Sequence, residues 1–175
     1  SEATREHFEL FHRYLTSRHS EGGMVDMDLS DYQAMVEESP VRSRLSEFRK
    51  ADGSLFAVCL IDEMEDGLSL VYSFFDPEEE QRSPGSFLIL WHIAESERQN
   101  LPYVYLGYWV EGSPRMQYKV RYRPLERLTR DGWQVMDEDE QRALIAAAIA
   151  PRRTVDASLA GIRGKDGQPA KFPES

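Results

Sequence analysis

Chemistry in this 175-residue sequence gathers in two places. The first is Ser83-Pro84-Gly85-Ser86, directly after Arg82. Serine can cap a helix, and proline suits the first helical position because its missing N–H would be unpaired there anyway. The free N–H groups and positive dipole end of such a helix can hold a phosphate or an oxyanion. The plain alternative is an ordinary capped helix. The second place is a basic segment with Arg115, Lys119, Arg121, Arg123, Arg127 and Arg130, in which Glu126 is the only acid. Guanidinium groups there can take a phosphate backbone, or a carboxylate in two-point fashion. The alternative is a solvated basic surface balancing acidic neighbours.

Other chemistries are excluded. A net charge of −10 argues against indiscriminate nucleic-acid binding but not against a local basic patch. Cys59 is the sole cysteine, so no disulfide forms within the chain and a cysteine-based zinc module is ruled out. A reducing cytoplasm is the expected setting. His12 and His19 share a helix face, but the helical rise separates them by roughly 10 Å. No metal site is expected. There is no G-x-S-x-G elbow. Gly161-Ile162-Arg163-Gly164-Lys165-Asp166 has the wrong spacing for a phosphate-binding loop. Met64 occupies a ligand position in the calcium-loop-like Asp62–Gly67 run. No stretch approaches the roughly 20 apolar residues of a membrane helix. The polar start, Ser1-Glu2-Ala3-Thr4, carries no signal-peptide pattern and no Met, as expected of a piece of a longer protein.

These residues need elements to position them. Phe8, Phe11 and Leu15 recur at helical spacing and predict a helix over 4–19. Ser30 and Gln33 form the pattern of a capping box for a second helix, with Tyr32, Met35 and Val36 buried. Glu47–Lys50, Leu55–Ile61 and Leu68–Phe75 read as strands joined by Asp-Gly turns, hence antiparallel. Asp76–Glu80 reads as a loop. The helix from Ser83-Pro84 should face inward with Phe87, Leu90, Trp91 and Ala94. Tyr103–Val110 reads as a strand, parallel to Leu68–Phe75 because a helix connects them. Arg115–Lys119 should be a short helix, and Tyr122–Leu128 and Gly132–Met136 a strand pair. Asp137 and Glu140 have the spacing to cap a last helix, lined by Leu144, Ile145, Ala148 and Ile149. Residues 1–150 are thus expected to form one domain, with 151–175 a polar, mobile tail. The fold class is α/β: a mixed, mostly antiparallel sheet with helices on both faces. Its element order is similar to that of GNAT acyltransferases, in which the parallel pair splays and an acyl donor lies in the gap.

Residues 3–133 closely resemble the C-terminal domain of the arginyl/leucyl-tRNA–protein transferases, with the bacterial aspartate/glutamate leucyltransferases the nearest match. Four ordered blocks carry the resemblance. They are Leu10-Phe11-His12-Arg13-Tyr14-Leu15 with Arg18-His19, Asp66-Gly67-Leu68-Ser69 through Val71-Tyr72-Ser73-Phe74-Phe75-Asp76-Pro77, Arg82-Ser83-Pro84-Gly85-Ser86-Phe87, and Tyr103-Val104-Tyr105-Leu106-Gly107-Tyr108-Trp109 followed by Met116-Gln117-Tyr118-Lys119 and Arg121-Tyr122-Arg123-Pro124-Leu125. Two features depart from the family. Its cysteine-containing N-terminal region is absent here, and Pro84 stands where an apolar residue such as leucine is expected.

The resemblance implies a reaction. The free α-amine of an acceptor protein beginning with Asp or Glu attacks the ester that joins leucine (or arginine) to the 3′ end of a tRNA, marking the acceptor for N-degron proteolysis. Aminoacyl-tRNA is the co-substrate, and no further cofactor is implied. Tyr118 falls where GNAT enzymes often keep a tyrosine acid, and it can protonate the leaving ribose hydroxyl or simply be packed. Asp76 can orient the amine, although Asp-Pro is also a turn signal. Tyr72, Tyr105 and Tyr108 are candidates to stack on adenine. Lys119, Arg121 and Arg123 are candidates for the tRNA backbone or the acceptor carboxylate, and Arg13, Arg18 and His19 for the acidic-end pocket. Arg82, Ser83, Gly85 and Ser86 would form the donor-end phosphate or oxyanion site. Two other classes stay open: a coenzyme A-dependent N-acetyltransferase, and a non-catalytic binder of acidic protein N-termini.

Overall fold

A computed structural model describes residues 2–18, 23–111, 113 and 116–149. They fall into two compact units that divide between Trp109 and Val110, each taken by itself below.

In the first unit, α1 (Arg5–Arg18), a 3₁₀ turn (Gly23–Asp26) and α2 (Leu29–Glu37) precede β1 (Ser43–Arg49), β2 (Leu55–Glu63) and β3 (Gly67–Phe75). A second 3₁₀ turn (Pro77–Arg82), α3 (Pro84–Arg98) and β4 (Tyr103–Tyr105) complete it. The strand order is β1-β2-β3-β4, antiparallel except for the parallel β3–β4 pair. The mixed, mostly antiparallel sheet expected from the sequence is what forms.

Pleating decides which helix meets which strand residue. On β2, Ala57 pairs with Phe48 and its neighbour Val58 with Phe74, so those two rings point to opposite faces. Phe74 lies 5.3 Å from Phe11 of α1 and 6.1 Å from Tyr32 of α2. Phe48 lies 5.0 Å from Trp91 and 5.5 Å from Phe87 of α3. Helices therefore cover both faces.

Several local expectations shift. The helix α2 starts at Leu29, not Ser30, because Asp28 makes the better cap: its Oδ1 accepts from the Ser30 and Asp31 amides at 2.8 and 3.0 Å. Asp31 returns the bond to the Asp28 amide at 3.0 Å. The predicted loop at Asp76–Glu80 closes into the 3₁₀ turn. The inward face of α3 is Pro84, Leu88, Ile89, His92, Glu95 and Ser96, whereas Phe87 and Leu90 are 44% and 57% exposed. Both stripes have helical spacing. The buried one contains polar residues with internal partners, which hydrophobicity alone reads as a wet face. His92 Nδ1 donates to the Leu88 carbonyl at 2.7 Å, and Ser96 Oγ reaches the Leu101 and Tyr103 carbonyls at 2.9 and 3.1 Å.

The predicted strand over Tyr103–Val110 stops at Tyr105. Pairing with β3 covers only Gly67–Tyr103, Leu68–Val104 and Ser69–Tyr105. Backbones come so close there that a Cβ on Gly67 would stand 2.5 Å from the Tyr103 carbonyl oxygen. Beyond this lock β3 runs on to Phe75 without its parallel neighbour, and Gly107 takes a left-handed φ of 72°.

In the second unit a 3₁₀ turn (Gln117–Arg121) replaces the predicted short helix. The strands β5 (Glu126–Thr129) and β6 (Gly132–Val135) form a hairpin, and α4 (Glu138–Ile149) follows. The Asp137 carboxylate accepts from the Asp139 and Glu140 amides at 2.8 and 3.3 Å. Leu144 and Ile145 are half-buried. The side chains of Ala148 and Ile149, Arg115, and the expected tail over 151–175 lie outside the described residues.

Two stability outcomes follow from these packings. Gly67→Ala should lower stability by about 1–3 kcal/mol in urea titration, since backbone must move to admit the methyl; an unchanged midpoint would contradict the close approach. His92 is fully buried, and burial holds its pKa below 6.5, aided by Arg44 and only partly opposed by the Leu88 carbonyl and Glu95. The unfolded chain takes up this proton near pH 6.5 and the folded one only below that, so stability is full above about 6.5 and falls as pH drops. His92→Leu should flatten that slope in urea midpoints measured across the same range.

Candidate functional site

Amphipathic α1 sets the first wall. It buries His7, Leu10, Phe11, Tyr14 and Leu15, which leaves His12, Arg13, Thr16 and Ser17 on the other side. The second wall comes from the end of β3. Asp76 caps the following 3₁₀ turn by accepting from the Glu78 amide at 3.3 Å, and Lys50 Nζ stands 3.4 Å from its Oδ2. Lys50 also pairs with Glu79 at 2.8 Å; this partner, more than Asp76, holds the lysine pKa above its ordinary value. Between the walls lies a solvent-open depression of about 680 Å³, lined by His12, Arg13, Thr16, Ser17, Asp76, Pro77 and Glu78. A second depression of about 590 Å³, with Phe8, Val25 and Met27 in its lining, shares His12 and Arg13 with the first.

Arg13 and Asp76, proposed from the sequence for different tasks, thus line one concavity. Arg13 is exposed and makes no ion pair among the described residues. Arg18 behaves differently. It pairs with Glu80, and its guanidinium carbon lies 5.1 Å from the Phe75 ring centroid and 5.9 Å from that of Tyr14. Burial works to lower its pKa, but the bonds to Glu80 and Tyr14 leave it raised. It fastens the end of α1 to the turn after β3. His19 lies outside the described residues.

The three tyrosines separate. Tyr72 packs edge-on to Phe11 at 5.9 Å, and burial, with Tyr14 nearby, pushes its hydroxyl pKa up to about 12. Tyr105 donates to Asp66 Oδ2 at 2.9 Å. Tyr108 is 91% exposed, past the end of β4.

At the start of α3 the expected serine cap is not made. Ser83 adopts a left-handed φ of 54° and makes no side-chain cap bond; instead its carbonyl accepts from the Ser86 and Phe87 amides at 3.0 and 3.2 Å. Arg82 is exposed and lies 3.3 Å from Glu79, while Gly85 and Ser86 are half-buried.

Within the second unit, Tyr118 and Lys119 sit on the Gln117–Arg121 turn, both half-buried, and burial lowers the Lys119 pKa. Arg121 is exposed. Arg123 is engaged with α4: its Nε donates to Gln141 Oε1 at 3.1 Å and its Nη1 lies 3.3 Å from Glu138. Arg127 pairs with Glu140. Part of the basic segment therefore holds α4 in place.

Sequence reasoning considered His12 only as a metal ligand and passed over Asp26 and Glu78. The signal was available, because His12, Arg13, Thr16 and Ser17 form the polar stripe of an amphipathic helix. No group of three or more metal-ligating side chains occurs among the described residues, and none of their helices is long and apolar enough to cross a membrane.

Comparison with known proteins places this arrangement in context. Residues 6–129 match the family described as "Arginine-tRNA-protein transferase, C terminus". A protein named aspartate/glutamate leucyltransferase from Parvibaculum lavamentivorans is 54% identical over 131 residues, covering 75% of this chain and 54% of that protein. One of the same name from Caulobacter vibrioides is 51% identical over 148 residues, covering 82% and 53%. A third, from Bradyrhizobium sp., is 50% identical over 149 residues, covering 80% and 58%. The chain spans about half the length of the curated relatives it matches.

The two arginines of α1 should part company on substitution. Arg18→Ala should cost about 1–2 kcal/mol in urea unfolding, through its lost ring contacts and ion pair. Arg13→Ala should stay within about 0.5 kcal/mol. Equal losses would contradict the assignment of Arg18 to structure and Arg13 to the concavity.

Proposed function

We propose a reaction for this protein from one premise: the chain belongs to the family described as arginine-tRNA-protein transferase, C terminus. The proposed reaction transfers leucine from aminoacyl-tRNA to the α-amine of proteins that begin with Asp or Glu, marking them for N-degron proteolysis in the cytoplasm. Leucine is favoured over arginine by the names of the similar proteins. The complete protein, not this half alone, is assigned the activity. Residues 1–150 act in this reading as the catalytic part and 151–175 as an appended tail.

The observation that carries the reading is the shared depression of Arg13 and Asp76. An acidic N-terminal residue presents an amine and a carboxylate a few bonds apart. Asp76 suits the first and the Arg13 guanidinium the second. An α-amine has a pKa of about 8, so a useful neutral fraction exists at physiological pH. Its nitrogen attacks the ester carbonyl and the new C–N bond forms. The ester C–O bond breaks, the amine loses a proton, and the ribose oxygen gains one and leaves as the tRNA 3′ hydroxyl. The ester is already activated, so positioning accounts for most of the acceleration. Asp76 accepts a hydrogen bond from the amine and aims its lone pair.

The donor side of the reading rests on the family resemblance. Tyr118 gives its proton to the ribose oxygen. Gly85 and Ser86, at the positive end of α3, take a phosphate or the developing oxyanion, with Arg82 beside them. Tyr108 offers an exposed ring for the terminal adenine, while Tyr72 and Tyr105 support the region where β3 and β4 part. Lys119 and Arg121 serve the tRNA backbone. Arg123, already bound to α4, has a lesser part, and Arg18 assists through the shape of the acceptor wall, while His19 is kept as a candidate for the acidic end on the resemblance alone.

Incubating the complete protein with leucyl-tRNA and peptides beginning with Asp, Glu or Lys should add one leucine, seen by mass spectrometry, to the first two only. Arg13→Gln should raise the acceptor KM about 10- to 100-fold through loss of a charge-assisted pair, with the KM for leucyl-tRNA unmoved. Asp76→Asn should act mainly on kcat. Transfer to the Lys peptide, or an acceptor KM indifferent to Arg13→Gln, would end the proposal.

A further inference from the structure

The second depression along α1 shares His12 and Arg13 with the acceptor site, while the rest of its lining has no part in the reaction just described. Apart from the shared His12 and Arg13, its lining has two characters. Phe8, Val25 and Met27 are half-buried and apolar. Glu9, Asp26 and Asp28 supply carboxylates. These acids are not equivalent. Asp28 is spent on the α2 cap, where its oxygen holds two amides. Glu9 accepts from Arg5 Nε at 3.2 Å, with both side chains largely in water. Asp26 is exposed on the Gly23–Asp26 turn and has no ion pair among the described residues.

Apolar side chains beside an uncommitted carboxylate suit a particular guest: a long aliphatic stem carrying a cation, which is the side chain of lysine or arginine. Successive Cα atoms of an extended peptide are about 3.8 Å apart. With the first residue between Arg13 and Asp76, the next residue lies one such step away, and His12 and Arg13 border the second depression as well. We propose that this depression reads the second residue of the acceptor protein and prefers a basic side chain there, with Asp26 as the residue that determines the preference. The proposal rests on the acceptor site assigned above. An acidic second residue is disfavoured by the same carboxylates.

The test measures binding as well as turnover, so the two readings separate. Peptides beginning Asp-Lys, Asp-Ala and Asp-Glu, otherwise identical, are titrated into the complete natural protein by calorimetry, and leucine addition is followed in parallel. The Asp-Lys peptide should bind roughly three- to tenfold more tightly than Asp-Ala, and Asp-Glu more weakly than either, as expected for one partly exposed ion pair with stem contact. Asp26→Asn should narrow the spread and Asp26→Lys should invert it, with circular dichroism reporting that both variants fold. Equal binding of the three peptides, or a lysine preference untouched by Asp26→Lys, would overturn the proposal. Absence of binding by every peptide would overturn it together with the acceptor site. Graded binding without leucine addition would uphold this inference and sink only the transferase reading.

Discussion

An aromatic seam between α1 and β3 fixes where Arg13 and Asp76 stand. Phe11 meets Phe74 at 5.3 Å and Tyr72 at 5.9 Å, and Tyr14 meets Phe75 at 4.9 Å. Rings of this size bury a large area and prefer edge-to-face geometry, so the seam favours one rotation of α1 about its own axis. With Phe11 and Tyr14 turned inward, Arg13 cannot also face the sheet. Tyr72–Phe75 lead directly into Asp76, so the strand that receives the helix also delivers the carboxylate. Arg18, stacked on Phe75 and paired with Glu80, closes the far end of the contact.

A second constraint acts on the other edge of the sheet. Gly67 lets the backbones of β3 and β4 touch at one point, and Ser96 of α3 holds the Tyr103 carbonyl there. The pairing ends two residues further on, at Ser69–Tyr105. The lock and the release are both encoded locally: a residue without a side chain where backbones meet, and a left-handed glycine, Gly107, where the chain turns away.

Much of this was legible in the sequence because strong local signals coincide with tertiary need. The Phe8–Phe11–Leu15 spacing gave α1, and the Asp-Gly turn and aromatic runs gave β2 and β3. What was misread has physical causes. Apolar spacing points α3 inward through Phe87 and Leu90, yet the buried stripe carries His92, bonded to the Leu88 carbonyl one turn back, and Ser96, bonded to carbonyls that only the fold brings near. Ser30 and Asp28 both suit the cap of α2 by residue type, and the fold selects Asp28, whose oxygen reaches two amides. Apolar and aromatic residues continue after Tyr105 and read as more strand, while pairing with β3 stops there. At the site, Arg13 and Asp76 were each named, but nothing in linear order says they share a depression. The basic segment looked freer than it is because the carboxylates that tie up Arg123 and Arg127 come from α4.

The central claim is that the groove between α1 and the end of β3 holds an acidic protein N-terminus by both its charges. Amide and side-chain NMR shifts of the complete protein, followed as an Asp-initiated peptide is added, test this most directly. The account predicts perturbations centred on His12, Arg13, Thr16 and Asp76, abolished when the peptide's α-amine is acetylated. Perturbations elsewhere, or an unchanged pattern after acetylation, would contradict it.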